Sequence, residues 1–409
     1  MVEPIVKRAG GLDVHKKSVV ASIVLEQADG TLHQETRTFG TCGRQRQALC
    51  GWLRENRIEL VVMESTGIYW KSVYAALEAA GLKAYVVNAR HVKQVPGRKT
   101  DVSDSQWLAS LARFGLLKAS FIPPKDLREL RLITRYRLKL QGTLASEKNR
   151  LHKVLDEAGV ALGTVVSDIH GVSGQAIIQG LIDGQPMEAL LDCARGRLQA
   201  KRGELKEVLE GPLPARHRFL LAQLKRHIDH LEDELRGIDA YLVEAMRPYQ
   251  KPWELLQTIP GIDALSATLL LVEIGVDMQR FGSMKQLSSW GGMCPGNHES
   301  AGKKKSGRSR KGNRTLRRVL CEAANAARRT HSQFKGAYAG LVLRRGHKRT
   351  IVALGHKILR IVYTLLKTRS PYRDPSIDYE ALVVQRNAPR WIQALKKFGY
   401  WPQLRPAAS

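Results

Sequence analysis

Residues 60–67 read Leu60-Val61-Val62-Met63-Glu64-Ser65-Thr66-Gly67. Four apolar residues, two of them β-branched, make a short strand buried on both faces, and a carboxylate closes it. An acid directly after such a run has no evident structural role. Its neighbours in sequence define the surroundings. An apolar run at 19–25 and a second at 31–39, joined across the turn Asp29-Gly30, make a hairpin. Helical patterns at 44–55 and 69–80 flank the strand at 60–63. A further strand at 84–87 and a helix ending at Gly115 complete the segment. A hairpin followed by βαβ units predicts a mixed α/β sheet covered by helices.

Three other acids accompany Glu64. Asp13 stands in GLDVHKK, just ahead of the apolar run at 19–25, and Asp101 and Asp104 stand in KTDVSDSQWLA near a helix start. Residues three apart share a helical face, so both aspartates are expected to point toward the sheet. Singly, Asp13 reads as a turn residue and Asp101 as a helix cap. Together, carboxylates at strand ends beside a helix cannot all ionise without a cation. One or two Mg²⁺ (or Mn²⁺) held by oxygen ligands would resolve this and would polarise a phosphodiester.

The chain has 409 residues, enough for two to four domains, and a formal net charge of +28. Residues 1–125 carry +7, residues 126–250 carry +1 and residues 251–409 carry +20. Sixteen basic residues stand against the single Glu322 between 301 and 350. Such a one-sided field calls for a polyanion, and nucleic acid is the usual one. The longest apolar stretch, about 265–276, is interrupted by Glu273 and is too short to span a bilayer. No secretory leader is evident, so the expected location is the cytoplasm. The five cysteines form no CxxC pair, which argues against a cysteine zinc site and a disulfide framework.

After Pro123-Pro124 a long helix is expected at 126–158, then a Gly-rich stretch of weak periodicity at 159–200. At 216–247, Leu221, Leu224, Ile228, Leu231, Leu235, Ile238, Leu242 and Ala245 alternate spacings of three and four. That seam fits a helical hairpin or a coiled coil, within one chain or between two. Leu256-Gln257-Thr258-Ile259-Pro260-Gly261-Ile262 leads into a second apolar helix, a helix-hairpin-helix pattern whose turn is suited to a phosphate. A glycine- and serine-rich loop follows, with nine basic residues among the sixteen from 303 to 318. Lys303, Lys304, Lys305, Arg308, Arg310, Lys311, Arg314 and Arg317 are the candidate phosphate ligands, the arginines after Asn313 lining one exposed helical face. The organisation expected is 1–122 catalytic, 123–250 helical and coiled-coil, 251–370 helix-hairpin-helix with the basic loop, and 371–409 a C-terminal tail.

The order GLDVHK, MESTGIYW and KTDVSDSQWLA resembles the N-terminal domain of the IS110/IS1111 family of insertion-sequence transposases. The resemblance implies a RuvC-like, RNase H-type fold whose DEDD carboxylates, here Asp13, Glu64, Asp101 and Asp104, bind divalent metal. His15 and Lys16 match the family's run and are assigned no chemistry. The region NHESAGK resembles the family's C-terminal transposase domain and implies Ser300 as nucleophile, with Ser306 and Ser309 as weaker competitors and Glu299 where relatives often carry a first serine. The same resemblance implies donor and target DNA, a structured non-coding guide RNA, and a homodimer or homotetramer pairing the acids of one protomer with the serine of another. A bacterial, nucleoid-associated setting is likewise implied only by the resemblance. Read without it, a RuvC-like structure-specific endonuclease that never joins strands and a non-catalytic nucleic-acid scaffold remain as alternatives.

Overall fold

The computed structural model describes residues 4–65, 67–92, 103–296, 298–300, 303–306, 309, 311–375 and 379–400, with the backbone alone at 90–91, 298–300, 303–306, 379–380, 382–383 and 386. The chain divides into two compact units, Met1–Lys125 and Asp126–Ser409.

The first unit is built on a five-stranded sheet. Strands β1 (Arg8–Val14), β2 (Ser18–Glu26) and β3 (Leu32–Gly40) run antiparallel, and β4 (Leu60–Glu64) and β5 (Ala84–Val87) add in parallel on the other side of β1. The order is β3-β2-β1-β4-β5, a mixed sheet. Helices α1 (Gly43–Glu55) and α2 (Trp70–Ala79) provide Leu49, Trp52, Leu53, Val73 and Leu77 to a core with Leu12, Ile23, Val61 and Met63. After the short α3 (Ala89–Val92), helix α4 (Asp104–Arg113) covers the other face, where Ala9, Leu60, Val62 and Val87 meet Leu108, Leu111 and Ala112.

The central strand β1 is absent from the pattern expected of the sequence. Asp13 was expected ahead of the first strand, whereas it lies in β1, opposite Val20 of β2. Arg-Ala-Gly-Gly-Leu-Asp-Val has little side chain to signal a strand, and tertiary packing explains why. A Cβ on Gly11 would lie 2.0 Å from the Ser105 carbonyl oxygen and 2.5 Å from the Ala109 nitrogen. The helix therefore rests directly on strand backbone, which only glycine permits. Its neighbour Gly10 faces the opposite layer, where an added Cβ meets nothing closer than 3.4 Å.

The second unit is helical apart from one ribbon among the described residues. It comprises α5 (Lys125–Glu157), α6 (Val172–Asp183), α7 (Met187–Asp192), α8 (Arg202–Val208), α9 (Ala215–Glu244), α10 (Gln250–Gln257) and α11 (Ala264–Ile274). There follow α12 (Met284–Trp290), the strands β6 (His298–Ser300) and β7 (Lys303–Ser306), α13 (Arg314–Ala327), α14 (Gln333–Thr368) and α15 (Tyr379–Lys397). The weakly periodic stretch after 159 folds into short helices whose Leu162, Ile177, Ile178, Leu190 and Leu205 form one core with Leu155, Leu221 and Leu224. The stripe on α9 is buried within the chain: Leu231 and Leu235 pack on Leu140 of α5, and Lys148 pairs with Glu232 at 2.6 Å. Arg137 of α5 pairs with Asp239 through both carboxylate oxygens. No helix among the described residues is long and apolar enough to cross a membrane.

Gly11→Ala is expected to destabilise the first unit by about 2–3 kcal/mol, because α4 has to lift off β1. Gly10→Ala is expected to cost little. Calorimetric melting of the two variants beside the wild type tests the asymmetry.

Candidate functional site

The parallel register of β1 and β4 ends with Leu12 beside Met63, so one step further Asp13 lies beside Glu64 at the C-terminal ends of two adjacent strands. Alternation assigns both to one face. Asp13 shares it with Ala9 and Gly11, and Glu64 with Leu60 and Val62, the face that α4 covers. Both carboxylates are half-buried. Adjacent strands lie ~4.8 Å apart, so two ionised groups here repel at short range unless a cation joins them.

The start of α4 is fixed by several polar links. Ser103 caps it, its hydroxyl accepting from the Gln106 N–H at 3.3 Å while the Gln106 side chain accepts from the Ser103 N–H at 3.2 Å. The buried Ser22 of β2 joins Ser105 and Thr36 through hydroxyl contacts of 2.8 Å each. The cap sets Asp104 as the first residue of α4, exposed, in the turn that rests on Gly11 two residues before Asp13. An acid in a first helical turn is favoured by the helix dipole. Helix α4 begins at Asp104, and Asp101, expected to share a helical face with it, lies outside the described residues. His15, assigned no chemistry from sequence, brings its Nε2 to 3.1 Å from Asp13 Oδ2 and steadies that carboxylate.

This donor set suits a hard cation in kind, with carboxylate oxygens on neighbouring strand ends and a third acid at a helix start. Among the described residues, no three Asp, Glu, His or Cys side chains stand close enough together to form a metal cage on their own. Of the four acids Asp13, Glu64 and Asp104 are described, and Asp13 and Glu64 lie side by side.

In the second unit Ser300 ends β6, paired with Lys303 of β7. Glu299 pairs with Lys304, and a bulge separates it from His298, which pairs with Ser306. The expected open loop is thus a two-stranded ribbon, with Ala301-Gly302 between its strands. Arg308 and Arg310 lie outside the described residues, as do the side chains of Ser300 and Lys303, Lys304 and Lys305. Lys311 and Arg314 are exposed. Arg317, expected on the exposed face, instead donates to the Gly292 carbonyl at 2.7 Å. A Cβ on Gly312 would lie 2.4 Å from the Gly292 nitrogen, so the two ends of the ribbon segment touch backbone to backbone.

Beneath that closure is a residue the sequence reading used only as an interruption. Glu273 sits in α11 within eight consecutive buried residues, 267–274, and is itself fully buried. Its carboxylate accepts from Arg135 Nε at 3.1 Å, Arg135 Nη2 at 3.2 Å and Asn313 Nδ2 at 2.6 Å, with Arg131 Nε 3.1 Å away. Arg131 Nη2 also donates to the Glu273 carbonyl at 2.7 Å. Burial pulls the Arg131 pKa below its ordinary value, and the Glu273 charge pushes it back. Asn313 in turn caps α13 by accepting from the Leu316 N–H at 3.1 Å. One carboxylate therefore ties α5, α11 and the exit of the Ser300 segment together. An acid inside an otherwise apolar helix was the available signal, since such a charge is buried only with partners.

The hairpin of α10 and α11 encloses Pro260-Gly261, with Gly261 at φ 85°. A Cβ there would be 2.5 Å from the Ala323 carbonyl of α13. The first turn of α11 is occupied by its own Asp263, which accepts from the Ser266 N–H at 2.7 Å, so part of the expected phosphate site is filled from within.

Comparison with known proteins agrees with both halves. The IS110-type DEDD transposase profile matches residues 10–160, and the profile described as transposase, IS116/IS110/IS902 family, matches residues 253–339. The chain is 26% identical over 334 residues to the transposase for insertion sequence element IS1111A of Coxiella burnetii, covering 78% of this chain and 80% of that one. It is 25% identical over 325 residues to a probable family 20 transposase of Pseudomonas aeruginosa, covering 77% and 86%. Thermus thermophilus RuvC aligns with 28% of this chain and 99% of its own, at 17% identity and a TM-score of 0.22. Two transposase profiles in this order define the class, an insertion-sequence transposase. The chain belongs to the IS110/IS1111 family.

Glu273→Ala leaves Arg131 and Arg135 facing a buried space without their counter-charge, and is expected to cost about 3–5 kcal/mol. Asn313→Ala, which removes a cap and one hydrogen bond, is expected to cost about 1–2 kcal/mol. Urea unfolding of the second unit's helical signal measures both.

Proposed function

We propose that this transposase cuts and rejoins DNA with a metal-bound carboxylate site in residues 1–122 and a serine nucleophile in residues 251–370. The observation that carries the reading is the placement of Asp13 beside Glu64 at adjacent strand ends, under the helix that begins at Asp104. Asp13, Glu64, Asp101 and Asp104 would hold one or two Mg²⁺ (or Mn²⁺). A bound Mg²⁺ would supply charge neutralisation and polarisation of the scissile phosphate. His15 orients Asp13, and the Gly11 contact fixes the helix that begins at Asp104 against β1.

Ser300 Oγ would attack phosphorus, forming a phosphoserine ester as the phosphorus–oxygen bond to one deoxyribose breaks. The serine proton passes to a base and the departing sugar oxygen takes one up. Attack by the hydroxyl of another strand reverses the step, so no external energy is needed to rejoin. Lys303, Lys304, Lys305, Arg308, Arg310, Lys311 and Arg314 would grip phosphates, while Arg317 secures the base of the ribbon. Donor and target DNA would be selected by a structured non-coding RNA of the element. A homodimer or homotetramer would join the acids of one copy to the serine of another.

The test is incubation of the full chain with Mg²⁺ and DNA spanning the element's junction, followed by denaturing gels for cleavage and protein-linked DNA. Ser300→Ala is expected to abolish the protein-linked species, while Ser306→Ala and Ser309→Ala retain it. Asp13→Asn and Glu64→Gln are each expected to slow cleavage ~100-fold or more. An adduct that survives Ser300→Ala would exclude that serine. Cleavage by the wild type with no adduct would favour a structure-specific endonuclease.

A further inference from the structure

Helix α14 is broken at Gly346, whose φ of 71° and ψ of 165° belong to a region occupied almost solely by glycine. The break is braced on both sides. Tyr338 Oη and His347 Nδ1 meet across it at 2.9 Å, and the buried Thr350 donates its hydroxyl to the Gly346 carbonyl at 2.9 Å. The Arg328 guanidinium lies over the Tyr338 ring, 4.9 Å from its centre. The result is a fixed elbow on which every residue from 343 to 349 is exposed.

Its composition is one-sided. Arg344, Arg345, Lys348 and Arg349 lie within those seven residues, and Leu343 is 95% exposed. No Asp or Glu occurs between Glu322 and Asp374, a stretch with twelve Lys and Arg. Four cations with no acid near them in sequence repel one another, and a leucine wholly in water loses its burial energy. A duplex relieves both conditions, because phosphates take the cations and an apolar side chain between them can wedge against a base step. A second copy of the same elbow would bring like charges together.

We propose that this elbow is a second contact for duplex DNA, distinct from the ribbon around Ser300. Arg344, Arg345, Lys348 and Arg349 sit on phosphates and Leu343 presses against a base step. The inference rests on the reading that the chain acts on DNA. Gly346 sets the angle at which the two arginines before the bend and the two cations after it address the backbone. An added Cβ at Gly346 has open space around it, so Gly346→Ala alters that angle through backbone strain alone.

The test is anisotropy of a fluorescein-labelled DNA duplex titrated with the full chain across a range of KCl. Each lost phosphate contact lowers the log–log salt slope by about 0.9. Replacing all four cations by alanine is expected to lower it by about 3–4, and the pair Arg344→Ala with Arg345→Ala by about 2. Leu343→Ala is expected to keep the slope and to reduce the fluorescence rise of a 2-aminopurine placed in the duplex. Circular dichroism checks that the variants fold, and the paired variant serves if the fourfold one does not. A fourfold variant with wild-type slope overturns the elbow alone, whereas a wild type that binds no duplex overturns the DNA reading with it. A fall in sedimenting mass for Leu343→Ala would assign the elbow to contacts between copies. A loss confined to vesicles of phosphatidylserine would assign it to lipid. Either would overturn the proposal.

Discussion

Helix α4 lies on the backbone of β1 because Gly11 has no side chain, and the position of the helix start at Asp104 against the sheet follows from that contact. The Ser105 carbonyl occupies the space a Cβ would fill, and the capping box of Ser103 and Gln106 fixes where the helix begins. The acid at the first turn thereby opens the helix that rests on the strand carrying Asp13. A larger residue at Gly11 would leave sheet and helix individually intact but change their separation, and with it the distance from Asp104 to the Asp13–Glu64 pair. Close packing of backbone on backbone is thus what sets the start of α4 against the strand that carries Asp13.

In the second unit Glu273 has the corresponding role. Removal of a carboxylate from water is costly, and two arginines and an asparagine offset that cost at 2.6–3.2 Å. The pairing is directional where apolar packing is not, so it fixes the relative positions of α5, α11 and the cap of α13. Arg317 and the Gly292–Gly312 contact close the segment above it. A nucleophile proposed on a ribbon benefits from a base held this way, because precise positioning at a reacting phosphate depends on rigid support.

Much of the architecture was legible in local pattern. Alternating spacings of three and four on α9, the apolar run at 60–63 and the Pro-Gly of the α10–α11 hairpin each correspond to an observed element. β1 was not legible, because Gly10 and Gly11 remove the β-branched signal in the strand where the fold needs closest approach. The ribbon at Ser300 was read as a loop, since glycine, serine and lysine in His298–Ser306 carry little strand preference and the pairing is set by register between its two arms. Arg317 was read as surface because helical periodicity marks a face without saying which carbonyl lies beside it.

The sequence by itself determined the inventory: four acids in the family's order, a charge of +20 beyond residue 250, and the seams that define most helices. These follow from periods of two and 3.6 residues and from composition, which are properties of the chain read locally. Only the tertiary structure decided that Asp13 lies beside Glu64, that His15 touches Asp13, that Glu273 holds the exit of the Ser300 segment, and that the cations at 344–349 gather on a braced bend. Each of these depends on strand register, on the direction of a buried side chain or on one backbone dihedral. Those are fixed when distant segments pack, and no local period encodes them.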